Sequence, residues 1–387
     1  MTSAQNRGPL WRMGGAPQPV SPLELLFDLV FVYALSQFSQ HLHHHLDWAG
    51  ALQTSVLILV VISLWFNTIW VVNLLDVTRT PVRAMVLVIM FVGALVITSI
   101  AGAFADRAWL FVSAYVAFQI GRSSFMLAIG PDPAMRRNFV RTLIWLVPTS
   151  GMWLAGAADE NPGSRLTIWG TAVAVEYVAI WWGHPVPGMG RTDTAEYGLA
   201  GSHIVERCRL LFLIAVGETV ISGLMAFTAE PVSLWRVVAL GVAFTGTVAI
   251  WWIYFHRSES VGMSLVEEAA DEAALGKRAI YTLVVMIAGL VAVAVGDELV
   301  IAEPTVRCDA ALSIVLYSGP ALYLAGKAWF FRRVDETSTV APARVAGIAA
   351  LAILGFLTYP LPALLAAVGA ALVLVAVAIV ETRAPAT

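Results

Sequence analysis

The chain has 387 residues, of which 59% are hydrophobic and only 13% are charged, and its formal net charge is -3. Soluble domains carry about 25% charged residues, because charge has to cover a water-facing surface. The composition therefore excludes an ordinary soluble protein. The net charge itself says little about partners, and no nucleic-acid partner is predicted. The composition predicts an integral membrane protein whose outer surface contacts the lipid bilayer.

Apolar runs separated by Pro, Gly or charged residues predict an all-α bundle of about twelve transmembrane helices, since about 20 apolar residues cross a bilayer. In chain order the predicted spans are 21–42, 50–75, 82–103, 108–130, 139–157, 163–183, 203–227, 232–256, 277–302, 309–330, 343–358 and 360–381. The run 343–358 is short, so an interfacial or re-entrant piece is the alternative there.

Lys and Arg residues lie mostly on one side of these predicted spans. The N-terminal tail, alternate connections and the C-terminus hold sixteen of them, whereas the opposite connections hold four. Because positive residues favour the cytoplasmic side, both termini are predicted to be cytoplasmic. Cys208 and Cys308 then lie near opposite faces, and we expect no disulfide between them.

The predicted spans form two halves of six helices each, 21–183 and 203–381. A polar cytoplasmic loop, 184–202, separates the halves; we expect a plain connector there, with a lid over an inner cavity as the alternative. Polar cytoplasmic tails cover 1–20 and 382–387.

Similar segments in the two halves suggest an internal repeat. RAMVLVIMFVGALV in the third span resembles RAIYTLVVMIAGLV in the ninth, and GRSSF in the fourth resembles GKAWF in the tenth. Matching helices at an offset of six fit a parallel repeat of six plus six helices, as in some transporters. Chance similarity between apolar helices is the alternative.

Several charged residues fall inside the predicted spans rather than at their ends. At a rise of 1.5 Å per residue, Asp28 and Arg122 both lie roughly 10 Å from the cytoplasmic end of their helices. Glu176 lies at a similar depth, Glu218 lies deeper, and Glu24 precedes Asp28 by one turn. Arg122 is expected to pair with Asp28, because guanidinium groups bind carboxylates in a two-pronged way.

The seventh predicted span carries a charged stripe. His203, Arg207 and Glu218 share one face of the helix, with Glu206 at its edge. An unpaired charge at a helix centre costs at least about 2.5 kcal/mol in a membrane, so this face cannot contact lipid. The acids and arginines of the separate helices are therefore predicted to meet in a polar cavity open to the cytoplasm.

Two interpretations of this cluster stay open. The carboxylates outnumber their cationic partners, which suits groups that exchange protons and predicts such a role for Asp28, Glu176 and Glu218. The alternative is a set of internal salt bridges that only hold the helices together. Trp65 and Asn67 are candidate cavity walls, and Gly217 is expected to relieve helix packing beside the acid that follows it.

A second polar group lies at the opposite face. The sequence HLHHH at 41–45 ends the first span, and Asp297 with Glu298 ends the ninth. Histidine and carboxylate could bind a divalent metal there, but the spacing matches no metal motif and a polar interfacial loop is favoured. Neither a cofactor motif nor a Walker, GxSxG or HExxH motif occurs, so no cofactor is predicted.

Four segments together resemble the low temperature requirement A (LtrA) family of bacterial membrane proteins: SPLELLFDLVFVYALSQ, ERCRLLFLIAVGETV, AIWWIYF and AVGDELVIAEP. The resemblance implies a multi-pass protein of the bacterial cytoplasmic membrane. It directs attention to the charged residues of these blocks and to Arg122. Glu303 stands where the resemblance implies a histidine, which weakens a histidine-based outer site.

The residues favour a proton-coupled secondary transporter or permease of a small solute. Arg122, Arg207, His203, Glu206 and Glu24 would bind the substrate or tune the acids. The alternative is an intramembrane enzyme that uses a buried carboxylic acid as a general acid on a lipophilic, isoprenoid-like substrate. A sensor or assembly factor without turnover is a third hypothesis. The oligomeric state, the substrate and the coupling ion are left open.

Overall fold

The computed structural model describes residues 10–11, 20–130, 133–192, 201–256, 272–331, 341–359 and 361–383. Most of the predicted tail 1–20 and the second part of the loop 184–202 therefore lie outside the described residues. The predicted tail 382–387 is described only as far as Arg383, where the last helix ends.

Each predicted span falls on a helix, and the described residues form no strand beyond isolated bridges. The twelve α-helices of the described residues are α1 (Pro22–His44), α2 (Trp48–Leu74), α3 (Thr80–Thr98), α4 (Ala108–Ile129), α5 (Pro133–Ala158), α6 (Pro162–Trp182), α7 (Gly201–Thr228), α8 (Leu234–Phe255), α9 (Glu272–Ala302), α10 (Ala310–Phe331), α11 (Ala341–Leu357) and α12 (Ala363–Arg383). The all-α prediction is confirmed.

Eight of the described helices are long and apolar enough to cross a membrane: α1 to α4, α7, α8, α9 from Leu275 onward, and α12. Helix α11, which contains most of the short predicted run 343–358, has 17 residues and is not among these eight. Large apolar side chains cover the outside of the helices; Phe91 is 67% exposed and Phe356 is 87% exposed. A multi-pass helical membrane protein accounts for both observations.

Local sequence signals set the helix ends that border the candidate site. Helix α6 begins after Asn161, whose Oδ1 accepts from the backbone N–H of Gly163 at 2.8 Å and of Ser164 at 3.3 Å. Pro162 occupies the first turn, where its missing N–H has no cost. Gly183 ends the helix with φ 73°, a left-handed conformation that favours glycine.

The helices divide into two compact units. The first unit contains α1 as far as His41, α2 to α6, α7 as far as Arg207, and the start of α9. Within it α3, α4, α5 and α6 pack in sequence, and α2 packs against α4 and α6. Aromatic rings fill the space between them: Trp169 lies 5.0 Å from Phe104, 5.5 Å from Phe111 and 5.5 Å from Trp153, between ring centroids.

The second unit contains residues 42–47, α7 from Cys208 onward, α8, α9 from Ala274 onward, and α10 to α12. Small residues allow α9 and α10 to approach closely, as in many membrane bundles. A Cβ added to Gly289 would lie 2.7 Å from the carbonyl oxygen of Gly319. Cys208 and Cys308 are both buried and free.

Candidate functional site

A buried ion pair joins α1 to α7 in the first unit. Arg207 donates from Nε to Asp28 Oδ2 at 3.1 Å and from Nη2 to Asp28 Oδ1. Trp65 of α2 donates from Nε1 to the same Oδ1 at 2.7 Å. The expected pair between Asp28 and Arg122 is therefore wrong. Depth along the helices matched those two residues, but depth does not define how each helix is rotated about its axis.

Glu24 is buried beside this pair and has two structural roles. Its Oε2 accepts from the backbone N–H of Ser21 at 2.8 Å, and its own N–H donates to Ser21 Oγ at 3.3 Å. This reciprocal arrangement is a capping box, which stabilises the start of α1. The other carboxylate oxygen lies 3.4 Å from His203 Nε2 on α7. The sequence signal S-x-x-E could have identified the capping role.

A second cluster lies between α4, α5 and α6. The carboxylate of Glu176 accepts hydrogen bonds from the Tyr115 hydroxyl and, at 3.0 Å, from Trp153 Nε1. Gln119 donates from Nε2 to the Tyr115 oxygen at 3.1 Å and accepts from Arg122 Nη2. Each member donates to the next, so the chain runs in one direction from the guanidinium to the carboxylate. Such aligned bonds polarise one another and strengthen the whole chain.

Helix α2 contacts both clusters. Arg122 donates from Nη1 to the Thr68 hydroxyl at 3.2 Å and to the Leu64 carbonyl at 3.4 Å. Trp65, which binds Asp28, is three residues before Thr68 and is fully buried. The predicted gathering of acids and arginines thus occurs in the first unit as two adjacent groups that share α2.

A small polar cavity borders the second cluster. Its volume is about 20 Å³, enough for about one or two water molecules. The cavity is lined by Ser63, Asn67, Gln119, Arg122, Thr142, Trp145, Leu146, Thr149, Glu176, Ala179, Ile180 and His184. Asn67 lines this cavity, whereas Trp65 is outside the lining and donates to Asp28 instead. A role of either residue in substrate binding stays a prediction.

The segment that follows α6 closes one side of this cavity. Trp145 of α5 donates from Nε1 to the Pro185 carbonyl at 3.0 Å, and Arg141 donates to the Met189 carbonyl at 3.1 Å. His184 lines the cavity and has a φ of 49°, which is uncommon for a residue with a Cβ. Burial, with the nearby Arg141, lowers the pKa of His184 from 6.5 to about 4. The imidazole is therefore neutral at physiological pH.

The remaining predicted residues of α7 are less buried. Glu206 belongs to the first unit and Glu218 to the second, and both are partly exposed; their roles stay predictions. Gly217 is exposed, and a Cβ added there would meet no heavy atom within 4 Å. The expectation that Gly217 relieves helix packing is wrong, because the position has free space.

The outer polar group does form in part, within the second unit. His43 Nδ1 lies 3.2 Å from Glu298 Oε1, with both side chains about one third exposed. Asp297 is also partly exposed at the same end of α9. In the described part of the chain, no three His, Cys, Asp or Glu side chains come together in a way that could hold a metal ion.

Sequence reasoning identified Arg122 and Glu176 but missed Tyr115, Gln119 and Trp153 in the second cluster and His184 at its cavity. Tyr115, Gln119 and Arg122 are spaced i, i+4 and i+7 on α4, a spacing that places them on one helix face. That pattern could have indicated the chain of hydrogen bonds. Trp153 and His184 gave no local signal, since their roles depend on contacts between separate helices and loops.

A comparison with protein-family models identifies the family. A family model described as bacterial low temperature requirement A protein (LtrA) matches residues 19–379. An uncharacterized protein of Rhizobium meliloti is 32% identical over 315 residues, which cover 80% of this chain and 76% of the relative. No solved structure matches the chain significantly.

Proposed function

Because the chain belongs to the bacterial low temperature requirement A family, we propose that the buried acids serve transport: the protein is a proton-coupled secondary transporter or permease of a small solute. The observation that carries the proposal is the setting of Glu176. This carboxylate is buried, receives hydrogen bonds from the neutral groups of Tyr115 and Trp153, and lines a water-sized cavity together with Arg122.

Glu176 suits reversible protonation better than Asp28 does. Asp28 is held by two bonds from Arg207, so adding a proton would break a buried ion pair. Among the described residues Glu176 has no cation within ion-pair distance, and a cavity water could deliver or remove its proton. We therefore assign proton exchange to Glu176 and a holding role to the Asp28–Arg207 pair. Glu218 remains a second candidate for proton exchange.

The proposed membrane arrangement has twelve spans, with both termini in the cytoplasm and the protein in the bacterial inner membrane. The uneven distribution of Lys and Arg supports it. In this arrangement the segment after α6 is cytoplasmic, so the cavity beside Glu176 lies toward the cytoplasmic side.

The two cavities found among the described residues do not favour the enzyme hypothesis. A site for a lipophilic substrate needs roughly 300–1,000 Å³, whereas the cavity that contains Glu176 measures about 20 Å³. A larger groove of about 410 Å³ lies between α8 and α12, but no carboxylate lines it. Neither cavity combines an acid with enough space for such a substrate.

Proton coupling can be tested in proteoliposomes that contain a pH-sensitive dye. A panel of amino acids, sugars, organic acids and inorganic anions is added outside, and solute-driven pH change inside is recorded. We expect at least one solute to move protons, and Glu176→Gln to abolish that movement. Glu160→Gln, which changes an exposed loop carboxylate, is the matched control. Unchanged proton movement in Glu176→Gln would exclude the proposed role.

A further inference from the structure

The guanidinium group of Arg122 retains free hydrogen-bonding capacity beside the cavity. Arg122 is only 3% exposed and has five N–H donors. Its bonds to Leu64, Thr68 and Gln119 use both hydrogens of Nη1 and one of Nη2. Among the described residues, Nε–H and the second Nη2 hydrogen have no acceptor. Because Arg122 lines the cavity, a ligand or water there can accept hydrogen bonds from these N–H groups.

The other polar lining groups are mostly occupied. Asn67 donates to the Ser63 carbonyl, Thr142 to the Asn138 carbonyl, and Trp145 to the Pro185 carbonyl. Among the charged and titratable lining groups, those with capacity left toward the cavity are Arg122, the neutral imidazole of His184, and the carboxyl group of Glu176. The first two are donors, and the third becomes a donor when protonated.

From this set of donors, and given the proposed proton exchange on which it rests, we infer that the cavity binds a small monovalent inorganic anion, such as chloride, together with the proton on Glu176. With Glu176 ionised, its charge neutralises Arg122 and repels an anion. With Glu176 protonated, the cavity has a net positive charge and offers three kinds of donor. A bound anion then restores neutrality inside the membrane, where an uncompensated charge is costly.

The charge balance in the cavity couples binding of the proton to binding of the anion. Each ligand favours the other by the same factor, because coupling between binding sites is reciprocal. The titratable or charged side chains around Glu176 are Tyr115 and Arg122 on α4 and His184 after α6, with Arg141 of α5 beyond the imidazole. Guanidinium groups stay protonated in proteins as a rule, so Glu176 is the group whose titration controls anion binding. Proton and anion would cross together without net charge.

Isothermal titration calorimetry tests the inference directly. The purified protein is titrated with sodium chloride at several pH values, and the heat of binding is recorded. Where Glu176 titrates, we expect the apparent affinity for chloride to rise up to tenfold for each unit that the pH falls. Glu176→Gln should bind chloride with an affinity independent of pH, and Arg122→Gln should not bind it. His184→Asp, which places a negative charge at the cavity and suits a left-handed φ, should also abolish binding. Arg107→Gln is the control, since Arg107 is exposed.

Three results would overturn the inference: no chloride binding by the wild type at pH 5, an affinity that does not change with pH, or unchanged binding in both Arg122→Gln and His184→Asp. The proteoliposome experiment separates this failure from failure of the transporter proposal. If another solute drives proton movement that depends on Glu176 while chloride does not, the transporter proposal stands and the anion site is wrong. If no solute, including chloride, moves protons, both fail.

Discussion

Replacing the Asp28–Arg207 pair distinguishes a holding role from proton exchange. Asp28→Leu would leave the guanidinium buried, at 1% exposure, without its main counterion. Loss of one partner of a buried pair typically costs about 3–5 kcal/mol. Glu24 Oε1, 4.0 Å from Arg207 Nη1, remains as partial compensation, whereas Trp65 loses its 2.7 Å acceptor, which adds about 1–3 kcal/mol. The compensation by Glu24 and the cost at Trp65 act in opposite directions. We therefore expect Asp28→Leu to lower the free energy of unfolding by about 3–5 kcal/mol.

The double variant Asp28→Leu/Arg207→Met removes both charges and should be more stable than either single variant. Only the unsatisfied Trp65 N–H and imperfect packing then remain, at about 1–3 kcal/mol. The stability losses of the two single variants would sum to about 6–10 kcal/mol. The double-mutant cycle should therefore give a coupling energy between Asp28 and Arg207 of at least about 3 kcal/mol. Unfolding of the purified protein in mixed micelles, with increasing denaturing detergent, measures each step.

The exposed pair Asp76–Arg79, at 3.1 Å, is the control cycle. Such pairs are worth only about 0–1 kcal/mol. The reasoning would be refuted if Asp28→Leu and Arg207→Met cost no more than the control, or if the double variant lost the full sum. An Asp28→Asn variant of normal stability that has lost transport would show that Asp28 exchanges protons and is not a structural partner.

Two further predictions concern stability. A Cβ at Gly156 would lie 2.3 Å from Trp169 Nε1, so Gly156→Ala should lower thermal stability by about 1–3 kcal/mol, whereas Gly217→Ala, at an open position, should cause no loss in the same thermal scan. The pKa of His184, lowered to about 4, means that the unfolded chain takes up a proton that the folded protein refuses. The stability that depends on a neutral His184 is therefore fully present above about pH 6.5 and declines as the pH falls toward 4, by at most about 3 kcal/mol. His184→Asn should remove this decline in the free energy of unfolding. An unchanged pH profile of stability in this variant would contradict the prediction.

The sequence predicted the helices and the buried charges far better than it predicted their partners. Apolar runs define helices locally, and the cost of a charge in lipid requires Asp28, Arg122, Glu176 and Arg207 to be buried; all four are. Partner choice depends on the rotation and spacing of helices that are distant in sequence. No local pattern carries that information, which is why Asp28 was assigned to the wrong arginine.

The internal repeat stays a prediction, and two basic residues that it aligns make similar contacts. GRSSF and GKAWF place Arg122 on α4 and Lys327 on α10, and each basic group reaches a backbone carbonyl two helices earlier: Leu64 on α2, and Tyr254 on α8 at 3.0 Å from Lys327 Nζ.

The buried acids on the last helix of each predicted half have different hydrogen-bond partners. Glu381 on α12 is held by two bonds from Arg344, at 2.6 and 3.0 Å, in a buried pair. Glu176 on α6 is held only by neutral donors and lines the polar cavity. An acid committed to a guanidinium cannot exchange a proton without breaking that pair. For this reason we propose proton exchange in the first unit, at Glu176.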